Sequence, residues 1–216
     1  MNNNTRRFVA IIGIGLALMT PTYTVFADSE SFAQLSAEWW QWALSIPTSE
    51  NPQLDTTGTN AVIGQRGPVW FLAGVFGGGT ATRTCSVPEG TELFFPVINS
   101  VNINVPNVCG QGPDNLSVSD LRDLSAVLID GATNLSVTVD GRAITDLRRV
   151  QSEVFAVALP KDNVFDSPCK RAHLGDVPAG IYSPAVDDGF YVRLDPLDIG
   201  SHTLHFHAES PKGVVQ

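Results

Sequence analysis

Three of the four histidines stand within His202-Thr203-Leu204-His205-Phe206-His207, where apolar and polar residues alternate as they do along a strand. Successive strand side chains point to opposite faces, so His205 and His207 share one face and His202 takes the other. Two imidazoles on one face can share a zinc or copper ion. A complete site needs further donors, for which His173, Asp187, Asp188 or Glu209 would have to converge in space. The competing reading is that His205 and His207 line a solvated sheet face while His202 hydrogen-bonds a turn. Asp187-Asp188-Gly189 reads most simply as a turn, although paired carboxylates beside histidines are also the raw material of a hydrolase or a calcium site. No serine nucleophile elbow, zinc-protease helix, calcium loop or P-loop occurs. No catalytic and no cofactor-binding residue is therefore assigned.

The cysteines carry the next chemistry. Three of them in an exported chain allow one disulfide and leave one thiol over. Cys109 lies in the turn-rich stretch 104–113 and Cys169 in 166–171, both read as surface loops, and these two are expected to pair. Cys85, in a predicted strand, is the odd one. No histidine or lysine lies near it in sequence, which favours a small buried hydrophobe over a reactive thiol.

Export is read from the N-terminus. Arg6 and Arg7 precede an uncharged apolar run over 8–19, and polar residues then lead to Val25-Phe26-Ala27. That order is a cleavable signal peptide over 1–27, cut between Ala27 and Asp28. The run has twelve residues, whereas a bilayer-spanning helix needs about 20, so no permanent membrane anchor is expected. The mature protein, 28–216, is expected to be a single domain, secreted or periplasmic. Losing two arginines takes its formal charge from −9 to −11. Such a surface repels phosphate backbones and anionic lipid, which removes nucleic acid and membrane surfaces as partners.

Positioning elements follow from periodicity. A helix is predicted over about 31–46: Ser31 and Gln34 form a capping pattern, Phe32, Leu35, Trp39, Trp42 and Ile46 recur at spacings of three and four, and Pro47 ends it. Trp39 and Trp42 are expected in the core and Trp40 off the stripe. An exposed Trp40 or Trp70 would offer a stacking surface to carbohydrate. Strands are predicted over 68–76, 80–87 and 92–99, with turns at Gly77-Gly78-Gly79 and Pro88-Glu89-Gly90, as an antiparallel meander. The triple glycine lacks the lysine and helix of a phosphate cradle and reads as a turn. A second helix is predicted over 118–129, capped at Ser119, with Leu121, Leu124, Val127 and Leu128 on one face. Further strands are predicted over 134–139, 142–144 (after an Asp140-Gly141 hairpin turn), 154–159, 190–194 and 202–208. Many short strands with two helices argue for a mainly β fold: an antiparallel β-sandwich, immunoglobulin-like or jelly-roll-like, with an N-terminal amphipathic helix.

Trp39-Trp40-Gln41-Trp42-Ala43, Gly64-Gln65-Arg66-Gly67-Pro68-Val69-Trp70-Phe71-Leu72-Ala73-Gly74, and Thr82-Arg83-Thr84-Cys85-Ser86-Val87-Pro88 with Leu93-Phe94-Phe95-Pro96-Val97-Ile98-Asn99 resemble a family of exported bacterial proteins with no assigned function. The likeness covers most of the mature chain and supplies no active site. It implies that a cysteine often stands where Ala61 is here, which would give Cys85 a partner that this chain lacks. It also implies one more strand beyond Gly213-Val214-Val215-Gln216, and hence a chain shortened at its C-terminus. The expected function is a non-catalytic exported module that binds an extracytoplasmic ligand or protein through its loops. The alternatives are a metal-binding protein or metal-dependent hydrolase centred on His205 and His207, and a carbohydrate binder using Trp40 or Trp70.

Overall fold

The computed structural model of the chain describes residues 31–211. The expected signal peptide with its Ala27–Asp28 junction, and the strand expected beyond 213, lie outside the described residues.

Helix α1 (Phe32–Ser45) starts where the Ser31 hydroxyl accepts a hydrogen bond from the Gln34 backbone N–H. It stops at Ile46, which is extended, the geometry that a following proline imposes. Of the predicted stripe, Leu35, Trp39, Trp42 and Ile46 are buried and Phe32 is partly buried. Trp40 is buried too, which corrects the expectation that it points away. The helix is held on more than one side, and its three indole N–H groups each find a different acceptor. Trp39 Nε1 donates to the Leu72 carbonyl at 2.9 Å, Trp42 Nε1 to that of Ile63 at 2.8 Å, and Trp40 Nε1 to the Asp187 carboxylate at 2.7 Å.

Next in chain order come β1 (Val69–Phe71), β2 (Glu92–Ile103), α2 (Val118–Ile129), β3 (Thr133–Val139), β4 (Arg142–Ala143), β5 (Arg148–Gln151), β6 (Phe155–Leu159), α3 (Asp166–Arg171), β7 (Gly180–Leu194) and β8 (Leu204–Glu209). The fold is mainly β, in two sheets. The larger runs β1-β2-β7-β5, with β6 pairing the first part of β7 and β5 a later part; the smaller runs β4-β3-β8. Adjacent residues of β2 and β7 enter opposite layers. Phe94 and Tyr191 pack with α1, while Phe95 and Val192 pack with Val137 and Ala208 of the small sheet and Ile129 of α2. A sheet covered on both faces accounts for the unbroken apolar run Leu93-Phe94-Phe95-Pro96-Val97-Ile98.

Several expectations are corrected. Residues 80–87 form no strand, and β1 pairs with β2 in parallel, not in a meander. Gly77, Gly78 and Gly79 all have positive φ and turn the chain away from β1. Segment 80–87 is instead tied to the loop before β1, through Thr84 N–H donating to Thr57 and through Arg83. Asp187-Asp188-Gly189 is no turn but the middle of β7. Gly189 is needed there, because a Cβ would come within 2.7 Å of Asn99 Cβ and 2.8 Å of the Ile98 carbonyl. The cap of α2 is Ser117, in a reciprocal box with Asp120, and its buried stripe is Leu121, Ser125 and Ile129. Leu124 and Val127 face outward, because Ser125 is drawn in by the Asn102 amide at 2.9 Å.

The disulfide joins Cys109 to Cys169, with Cα atoms 5.4 Å apart. Cys109 sits in a loop, but Cys169 is buried in α3, not on a surface loop. No helix among the described residues is long and apolar enough to cross a membrane.

Candidate functional site

Chemistry-bearing side chains gather in two places, and the first is closed. Asp187 and Asp188, neighbours on β7, enter opposite layers and are both buried. Asp187 accepts from Trp40 Nε1 at 2.7 Å and from the Tyr191 hydroxyl at 2.9 Å, and that hydroxyl accepts from Asn99 Nδ2 at 3.0 Å. Burial pushes the Asp187 carboxyl well above the usual carboxylate range, against the pull of the Trp40 and Tyr191 bonds. Asp188 instead pairs with Arg149 at 2.9 Å, and Arg149 also reaches Asp130 at 2.6 Å. Its hydrogen bond to Asp188 holds the Arg149 guanidinium above its ordinary value. These carboxylates are spent on partners inside the fold. They hold layers together and leave nothing for a ligand.

The second place is open. A cavity of about 280 Å³ lies where Trp42 of α1, Phe71 at the end of β1 with Leu72 and Ala73 after it, the 52–61 loop, the 81–85 segment and the stretch from His202 into β8 meet. Leu204 and Phe206, of one parity of β8, line it together with His202, which lies just ahead of the strand. Its polar wall is Asp55, Arg83, Thr84, Cys85 and His202.

Arg83, partly buried, acts as a brace. Its Nε donates to the Asp55 carbonyl at 2.6 Å, Nη1 to the carbonyls of Ala73 and Gly74, and Nη2 to that of Gln53 at 3.5 Å. Burial pulls its pKa below the usual arginine value, with Asp55 opposing. The Asp55 carboxylate closes its own turn, accepting the N–H groups of Thr57, Gly58 and Asn60 and the Thr57 hydroxyl at 2.7–2.9 Å. Those bonds, Asn60's first, hold it well below the usual carboxylate range.

Cys85 is exposed at the cavity, which corrects the expectation of a small buried hydrophobe, and partial desolvation pushes its thiol up, with Arg83 opposing. A thiol so placed is protonated at neutral pH and a poor nucleophile. Ala61, where the resemblance implies a cysteine, lines the same cavity.

His202 has both ring nitrogens engaged, Nδ1 with Asp140 at 2.7 Å and Nε2 with the Asp198 carbonyl at 2.8 Å. A carbonyl only accepts, so Nε2 carries a proton, and the Asp140 bond raises the histidine above its ordinary 6.5 while lowering Asp140. The link stabilises the fold fully below 6.5 and fades as pH rises through the raised value. We expect NMR titration to place His202 above 6.5 and Asp140→Asn to bring it back down; an unchanged titration in the variant would refute the pairing.

His205 and His207 lie on the opposite face of β8 from the cavity, in register with Thr138 and Ser136. His207 Nε2 stands 3.5 Å from Glu209 Oε1. The convergence that a metal site requires is not found: among the described residues no three His, Cys, Asp or Glu side chains gather to hold an ion. Asp187 and Asp188 are buried in the other sheet, and His173 follows α3 in an exposed loop. Trp40 and Trp70 are both buried, which corrects the expectation of an exposed ring for sugar; the Trp70 indole N–H has no hydrogen-bond partner. Sequence reasoning missed Arg83 and Asp55. The only available signal was a lone arginine in the Thr- and Gly-rich stretch 77–87.

Comparison of the chain with protein-family models, with curated proteins and with solved structures finds no match.

Proposed function

We propose that this is an exported, non-catalytic binding module: a β-sandwich flanked by helices, released after cleavage at Ala27, whose cavity beside Trp42 takes a small extracytoplasmic ligand. The cavity is the observation that carries the reading. Ligand sites are concave and mostly apolar with a few placed polar groups, and here Trp42, Phe71, Leu204 and Phe206 surround Arg83 and His202. The absence of catalysis rests on the state of those polar groups. The Cys85 thiol is held up by burial, and both His202 nitrogens are engaged, so neither a ready nucleophile nor a free base faces the cavity. The Cys109–Cys169 bond supports an oxidising compartment, in keeping with the resemblance to exported bacterial proteins.

The test is a fragment panel screened by ligand-observed NMR against wild type and Ala61→Phe, which fills the cavity from its wall. We expect hits whose affinity drops at least about tenfold in the variant, the scale of 1.4 kcal/mol. A panel without hits, or hits indifferent to Ala61→Phe, would remove the cavity as the binding site.

A further inference from the structure

We infer that the cavity's ligand is a small monoanion with an apolar body, a carboxylate of about single-ring size, whose charge meets the Arg83 guanidinium while its body lies among Trp42, Phe71, Leu204 and Phe206. This inference rests on the cavity being the binding site.

The argument starts from donor counting. A guanidinium has five N–H donors. Four of them point at the carbonyls of Gln53, Asp55, Ala73 and Gly74, and the fifth, on Nη2, has no acceptor among the described residues. Carbonyls satisfy hydrogen bonds but supply no countercharge. The one carboxylate on the same cavity wall, Asp55, is a countercharge to the guanidinium but accepts no hydrogen bond from it, because both its oxygens are tied into its own turn. A carboxylate entering the cavity supplies the missing acceptor in a charge-assisted hydrogen bond, which is roughly twice as strong as the bond a neutral ligand of the same size would make.

Size and field narrow the class further. About 280 Å³ falls just below the roughly 300–1,000 Å³ of drug-sized pockets, which suits one ring or a short chain. The mature surface carries a formal −11, from −9 less Arg6 and Arg7, and disfavours polyanions, while Arg83 disfavours cations. Neutral and singly negative ligands satisfy both limits, and the unfilled Nη2 donor of Arg83 favours the single negative charge on an apolar body.

Benzoate and benzyl alcohol, matched in size and different in charge, are the probes. They are titrated into the mature protein at low and high salt and followed by protein NMR. Benzoate is expected to bind at least about tenfold tighter than the alcohol, with the preference shrinking as salt rises, surviving in Arg83→Lys and vanishing in Arg83→Gln. Equal binding of the two probes overturns the charge inference and leaves the cavity reading standing; binding of neither overturns both. Should Arg83→Gln fail to fold, the salt dependence of the wild-type preference decides: a salt-insensitive preference overturns the inference.

Discussion

Reduction of the Cys109–Cys169 bond, or its removal in Cys109→Ala, Cys169→Ala, lowers the unfolding free energy by about 4 kcal/mol. The bond closes a loop of 60 residues, and opening it returns that loop-closure entropy to the unfolded chain. The folded state also depends on it locally. It ties the loop after β2 to α3, where Val108, Phe165 and Val177 pack beside it on the α1 side of the large sheet. Urea unfolding with and without reductant measures the difference directly, as a shift of midpoint at similar slope. A change below about 1 kcal/mol would mean that the 109–169 connection constrains the unfolded chain far less than its length requires.

Trp40→Phe is expected to cost about 1–3 kcal/mol, the range for leaving a buried acceptor without its partner. The indole N–H is one of two side-chain donors to Asp187, and water cannot replace it at a wholly buried carboxylate. The same carboxylate makes stability depend on pH. Its folded-state pKa lies well above the ordinary 3.8, so the folded protein keeps a proton that the unfolded chain releases. The stabilisation from this group is fully present below 3.8 and is lost as pH rises through the raised value. Asp187→Asn cannot ionise and keeps an acceptor for Trp40. Its stability relative to wild type is therefore expected to improve steadily as pH rises across that window. A difference independent of pH would contradict the buried-acid account.

Helix α1 was readable because its determinants are local: the Ser31 cap, the apolar spacing and Pro47. The role of Trp40 was not, since its partner lies 147 residues away on β7. The same distance effect hid most of β7. Two adjacent carboxylates read as a turn when alone, and as strand residues their burial is offset by Trp40 of α1 and Arg149 of β5, distant in sequence, together with Tyr191 further along β7. The Asp140-Gly141 hairpin was legible for the opposite reason. Both residues adopt positive φ, and the pair specifies that turn by itself. Alternating threonines over 80–87 imitated a strand although no neighbouring strand is there to pair with them. The parity argument put His205 and His207 on one face of β8, but it carried the strand back to His202, which precedes β8 and lines the cavity from the loop. It did not say which face mattered, because the cavity is assembled from five chain segments that share no motif.

The measurement closest to the central claim is a map of amide, indole and arginine Nε shifts as benzoate is added to isotopically labelled mature protein. Shifts are predicted at the Trp42 indole, Arg83 Nε, Thr84 and His202, with the Trp40 indole and the His205–His207 face of β8 unmoved. Shifts centred on His205 and His207, or scattered over the surface with none at Trp42 and Arg83, would contradict it.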